Sequence, residues 1–162
     1  MTAIDSAPVS DRMGSILGQT NVKILLVDDS RLIRLSIKRK LAAAGYENVI
    51  EAGSGPEALT MLDGVEVVLS DFEMPEMNGH QLAKAIRESE GGQFLRLILI
   101  TGHDLTPESV VVHQSHGFDA AIDKSVEPDQ LKIEIEKVRH SGVPAPKVRF
   151  SHAAPTPAAP EK

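Results

Sequence analysis

Five times along this chain a short apolar run of β type gives way to a segment with helical spacing, and that alternation constrains the fold more than any other feature. The runs are Lys23–Val27 (KILLV), Asn48–Glu51 (NVIE), Glu66–Ser70 (EVVLS), Leu95–Ile100 (LRLILI) and Asp119–Ile122 (DAAI). Continuous apolar runs of this length suit parallel strands covered on both faces, whereas a strand with one wet face alternates in polarity. The intervening segments carry helix signals. From Ser30 to Ala44 the residues Ile33, Ile37, Leu41 and Ala44 form one stripe, with Arg34, Lys38, Arg39 and Lys40 largely outside it. Ser54 and Glu57 fit a capping box ahead of Ala58, Leu59 and Leu62. Leu82 and Ile86 follow Asn78, Thr106 caps a helix opened by Pro107, and Pro128 lies in the first turn of a helix with the stripe Leu131, Ile135 and Val138. Five βα units of this kind predict an α/β fold, a doubly wound five-stranded parallel sheet with right-handed crossovers and five helices over both faces.

The units occupy residues 22–140, and the ends are different in kind. Residues 1–21 mix Ser, Asp, Gly and Thr with few apolar residues and read as a flexible arm. Residues 141–162 hold five of the ten prolines and read as a Pro/Ala-rich disordered tail, because such a composition cannot bury a core. Composition narrows the function. Cysteine is absent, which removes thiol nucleophiles and cysteine-ligated zinc, and no apolar stretch approaches the ~20 residues that span a membrane. The N-terminus lacks a signal-peptide pattern, so a cytoplasmic location is the default. A net charge of −6 with one Tyr and no Trp argues against a surface that reads nucleic acid.

Ligands of doubly wound sheets bind at the carboxyl ends of the strands. There the chain places Asp28 and Asp29 after the first run, Asp71 after the third, Thr101 after the fourth, and Asp123 and Lys124 after the fifth. A single Asp after a strand is commonly a turn or helix-cap residue. The set is different, because carboxylates that face one another near a core need a cation. Oxygen donors without matching His or Cys point to a hard ion, and an open site completed by water suits Mg²⁺. A metal, an ammonium, a hydroxyl and a carboxylate nucleophile together make up a phosphoryl-transfer site.

At these residues the sequence resembles the receiver domain of two-component response regulators. KILLVDDS (Lys23–Ser30) is similar to the acidic-pair strand, LSDFEMPEMNG (Leu69–Gly79) to the phospho-acceptor strand and its loop, LILITG (Leu97–Gly102) to the switch Thr/Ser strand, and DKS (Asp123–Ser125) to the lysine strand. The resemblance implies a flavodoxin-like sheet of order 2-1-3-4-5. It implies that Asp71 accepts a phosphoryl group from a phosphohistidine of a sensor histidine kinase or histidine phosphotransferase. Asp29, Asp71 and the Glu73 carbonyl would bind Mg²⁺, with Asp28 acting through a metal water or as an outer ligand. Thr101 and Lys124 would bond phosphoryl oxygens, and Pro75 and Gly79 would shape the loop under the site. His103 and Glu73 occupy the variable positions that tune hydrolysis in the family.

Two departures stand out. The family's usual rotating aromatic three residues before the lysine is Ala121 here, and Phe118 is expected to pack as core or edge instead. The family's proline after the lysine is Ser125, so a trans peptide is expected there. Gly53-Ser-Gly55 reads as a helix-starting turn rather than a dinucleotide fingerprint, and His113 and His116, three apart on the fourth helix, as exposed polar residues in preference to a metal-binding pair. The leading expectation is a stand-alone receiver, not an enzyme beyond phosphotransfer and autodephosphorylation, that signals by phosphorylation-dependent binding of a downstream protein. The alternatives are a phosphate sink or relay shuttle and, more remotely, a Mg²⁺-dependent aspartyl phosphatase, which is disfavoured because the nucleophile candidate lies on the third strand.

Overall fold

The computed structural model describes residues 21–103 and 105–141. The expected arm and tail therefore lie almost wholly outside the described residues. Five parallel strands, β1 (Ile24–Val27), β2 (Val49–Ala52), β3 (Val67–Ser70), β4 (Arg96–Thr101) and β5 (Ala120–Asp123), form one sheet of order β2-β1-β3-β4-β5. The order matches the expectation, and strand limits differ from the apolar runs by a residue. The helices are α1 (Arg31–Ala43), α2 (Gly55–Leu59), α3 (Gly79–Glu88), α4 (Pro107–Ser115) and α5 (Pro128–Arg139), with a short 3₁₀ turn at Gly92–Phe94 before β4.

Alternate residues of the buried strands feed two cores. On one face Ile24, Leu26, Leu69 and Ile98 meet Ile37 and Leu41 of α1 and Leu131, Ile135 and Val138 of α5. On the other, Leu25, Val27, Val68 and Leu97 meet Ala58 and Leu59 of α2 and Leu82 and Ile86 of α3, with Phe118 buried among them. Burial on both faces is why the strands read as unbroken apolar runs. Helix α4 contributes no buried side chain to either core.

The expected caps are present, with one correction. Ser30, Asn78 and Thr106 accept hydrogen bonds from Ile33, Gln81 and Ser109 N–H, and α3 and α4 begin with full capping boxes. At α2, Ser54 Oγ accepts from Glu57 N–H, but the Glu57 carboxylate turns to Gly53 N–H at 2.9 Å, so the box is only half formed. All described peptide bonds are trans, including the one before Ser125. Among the described residues no helix is long and apolar enough to cross a membrane.

Candidate functional site

The strand order places the ends of β1 and β3 side by side, with the ends of β4 and β5 beyond them. Asp28 and Asp29 leave β1 just as the chain turns into α1. Asp28 Oδ1 accepts the N–H of Ser30, the α1 cap, at 2.8 Å, and Arg34 from the first turn of α1 donates to the Asp28 carbonyl at 2.6 Å. Arg34 also pairs with Glu51 of β2 at 3.1 Å, so the backbone of the acidic pair is tied to two elements. Asp28 is buried and Asp29 exposed.

At the next strand end, Asp71 N–H donates to Val27 C=O at 2.9 Å, extending the β1–β3 pairing by one rung. The chain then loops through Pro75 and returns at Gly79, the first residue of α3. A Cβ at Gly79 would sit 2.6 Å from the Asp71 carbonyl oxygen. Glycine lets α3 begin directly behind Asp71, and any side chain would push the two apart. Phe72, Glu73, Met74, Pro75 and Asn78 line an open cleft together with Asp29.

Lys124 reaches across from the end of β5. Its Nζ lies 3.0 Å from Asp28 Oδ2 and 3.0 Å from Asp71 Oδ1, bridging two carboxylates. Its backbone N–H donates to Thr101 C=O at 2.8 Å, and buried Thr101 accepts the His103 N–H through Oγ1 at 3.2 Å. Three further hydrogen bonds hold the β5–α5 turn. Asp123 Oδ1 accepts both the N–H and the hydroxyl of Ser125, at 2.7 and 2.6 Å, and Lys40 of α1 donates to the Lys124 carbonyl at 2.8 Å. Asp123 is thus a turn residue, while Asp28, Asp29 and Asp71 converge, each offering an oxygen within 4.8 Å of the others.

Electrostatics follow from this packing. Burial raises the Asp71 carboxyl above the ordinary aspartate range; the Lys124 hydrogen bond opposes this and the neighbouring Asp28 charge adds to it. Burial disfavours the Lys124 ammonium, yet its bonds to Asp71 and Asp28 prevail and hold its pKa above the usual lysine value. Asp28 Oδ2 is buried without a well-aligned hydrogen-bond donor, with the Lys124 ammonium beside it. An all-oxygen cluster with spare lone pairs and one open side fits Mg²⁺.

Three side chains with such contacts escaped the sequence reading: Arg34, Lys40 and His80. Arg34 and Lys40 read as part of a solvated basic face of α1, but they brace the backbone of Asp28 and Lys124; their local spacing carries no sign of partners 6 and 84 residues away. His116 is exposed as expected and His113 is half-buried, and both pack against His80 of α3, with His80 Nε2 2.9 Å from His113 Nδ1 and the His116 ring stacked on His80. Their spacing of three on α4 was visible, whereas His80 became their neighbour only through the packing of α3 beside α4. At the rim, His103 Nε2 lies 3.0 Å from Glu73 Oε1.

The doubly wound sheet thus carries acid at the ends of β1 and β3, a buried hydroxyl ending β4 and a lysine after β5. The response regulator receiver domain model matches residues 24–136, and the chain belongs to that family. It is 36% identical over 124 residues to a chemotaxis protein CheY homolog of Campylobacter jejuni, covering 75% of this chain and 95% of the relative. It is 38% identical over 120 residues to chemotaxis protein CheY1 of Helicobacter pylori, covering 72% of this chain and 96% of that one. Among solved structures, Vibrio cholerae chemotaxis protein CheY4 superposes with a TM-score of 0.65 at 31% identity, over 74% of this chain and 99% of that one. Receiver domains are in general signalling modules rather than enzymes; they bind Mg²⁺ at an acidic pocket and interact with histidine kinases or phosphotransfer proteins.

Proposed function

We propose that this protein is a phosphorylation-dependent signalling receiver in which Asp71 takes a phosphoryl group from a phosphohistidine in a Mg²⁺-dependent reaction. The observation that carries this reading is the Lys124 ammonium seated between Asp28 and Asp71 at 3.0 Å from each, beside an open cleft rimmed by Asp29 and Glu73. Asp28, Asp29, Asp71 and the Glu73 carbonyl would hold the ion. When bound, Mg²⁺ offsets the charge of the carboxylates and of the incoming phosphoryl oxygens. An Asp71 oxygen attacks phosphorus. The new O–P bond forms as the P–N bond breaks, and its electron pair returns to the imidazole, which leaves neutral with the proton on its other nitrogen. Lys124 exchanges an Asp71 oxygen for a phosphoryl oxygen, and the Thr101 hydroxyl donates to another.

The kinship with chemotaxis CheY proteins supports signalling by phosphorylation-dependent binding to a downstream protein. A sink or shuttle role would use the same chemistry without a surface change. Ala121, partly buried against the core, is too small to report movement of Thr101 as an aromatic would, so the change passes through α4, the element that follows β4. The His103–Glu73 pair across the cleft is placed to control water access and hence the lifetime of the acyl phosphate.

Labelling by acetyl phosphate tests the reading. Wild-type protein should incorporate phosphate only with Mg²⁺, and Asp71→Asn should abolish incorporation. Undiminished labelling of Asp71→Asn would overturn the assignment.

A further inference from the structure

Away from the acidic edge, three histidines meet between α3 and α4. His80 stands at the second position of α3, and His113 and His116 lie three apart on α4. His80 Nε2 and His113 Nδ1 are 2.9 Å apart. The His116 ring stacks on His80 at a centroid distance of 3.9 Å and 8° between planes, while Phe72 meets the His80 ring edge-on at 4.6 Å. His116 Nδ1 lies 2.8 Å from the Val112 carbonyl, which can only accept, so this nitrogen carries the proton and Nε2 keeps its lone pair.

We propose that His80, His113 and His116 form a binding site for a borderline divalent transition-metal ion of the Zn²⁺ type, which clamps α4 onto α3. The facing nitrogens of His80 and His113 are already close to the separation of about 3.3 Å that two ligands at Zn–N distances of ~2.0–2.1 Å span in tetrahedral geometry. One of these nitrogens now carries the hydrogen that the other accepts. Binding moves that hydrogen to the far nitrogen of the same ring through solvent, so both imidazoles stay neutral. Parallel rings point their lone pairs along parallel planes, so binding requires exposed His116 to rotate, giving up its stacking on His80 and its Val112 bond, to bring Nε2 to the ion. Water completes the fourth position.

The chemistry sorts two metals between two sites. Three nitrogen donors favour a borderline ion, whereas the oxygen donors of Asp28, Asp29 and Asp71 favour Mg²⁺. The consequence lies in α4, which buries no side chain of its own. A metal bridge to α3, whose Leu82 and Ile86 are fixed in the core, would supply the anchorage that apolar packing does not.

The test uses the full chain with excess Mg²⁺ and titrates Zn²⁺ against a chromophoric chelator. One equivalent should bind, and His80→Ala, His113→Ala and His116→Asn should each weaken it at least tenfold. His116 is exposed, so its variant keeps the proposal testable if the other two perturb α4. Cu²⁺ bound to wild type should show electron paramagnetic resonance splittings from three nitrogens, reduced to two in His116→Asn. Zn²⁺ should also slow amide exchange in α4. Asp71→Asn should bind Zn²⁺ like wild type, which separates this site from the phosphorylation reading. Absence of stoichiometric Zn²⁺ binding, or binding unchanged in all three histidine variants, would overturn the proposal.

Discussion

Helices α4 and α5 are both tied to the last two strands, but they are held by different means. Helix α5 buries Leu131, Ile135 and Val138 against the sheet. Helix α4 buries nothing, and its Val111 and Val112 are 63% and 48% exposed. Polar contacts attach it instead: the His80–His113 contact along its length, and Arg87 of α3, which donates to the Gly117 carbonyl just past its end at 2.7–2.9 Å. A helix anchored in a core opens only at a free energy near that of global unfolding, whereas one held by a few surface bonds opens locally. The contrast assigns roles within the proposed switch: α5 is the fixed side of β5, and α4, which follows Thr101 in the chain, is the side that can respond.

The largest expected effect tests the fixed side. Ile135→Ala should destabilise the protein by about 2–5 kcal/mol in urea unfolding, because it removes a fully buried side chain and leaves a cavity. A loss as small as that of a surface substitution would show α5 to be no better anchored than α4.

Amide exchange sharpens the comparison next. Without a phosphoryl mimic, α4 amides should exchange at least tenfold faster than those of α5. Beryllofluoride with Mg²⁺ should slow α4 and leave α5 unchanged. A change confined to β5 and α5 would move the response from the loosely held helix to the anchored one.

The pH dependence of stability concerns the site proposed to accept the phosphoryl group. Since burial raises the folded-state Asp71 pKa above its unfolded value, the native protein holds that proton more tightly. Stability is lost as pH rises from the unfolded value through the folded one, and ionised Asp71 remains a cost at neutral pH. Without Mg²⁺, Asp71→Asn should therefore melt higher than wild type at pH 7, with the gap closing as pH falls below the folded-state value. A gap that widens on acidification would reverse the sign of this argument. The smallest effect belongs to α4 itself: Val112→Ala should change stability by no more than about 0.5 kcal/mol in the same unfolding assay, and a larger loss would reveal packing that the exposed side chain does not show.

Much of the site was readable before the fold because its residues sit at strand ends. A parallel sheet brings the carboxyl ends of adjacent strands together, so Asp28, Asp29, Asp71, Thr101 and Lys124 could be grouped from their places after apolar runs. The resemblance to receivers then supplied strand order and roles that periodicity does not carry. Asp123 occupies an equivalent place and still turns away to bind Ser125, because a residue at a strand end can serve either the site or the next turn. Glu57 likewise met the spacing of a capping box but bonded Gly53, one residue short of it.

Sequence alone determined the alternation of strands and helices, their apolar faces, most caps and the acidic character of one sheet edge, since all of these depend on residues within a turn or two of each other. Tertiary structure decided which distant side chains serve that edge and which bind the helices together. Lys40 reaches the carbonyl of Lys124, Lys124 bridges Asp28 and Asp71, and His80 meets His113 and His116, only because separate βα units are laid side by side. Such contacts depend on where a long side chain ends after packing, and local pattern does not encode that position.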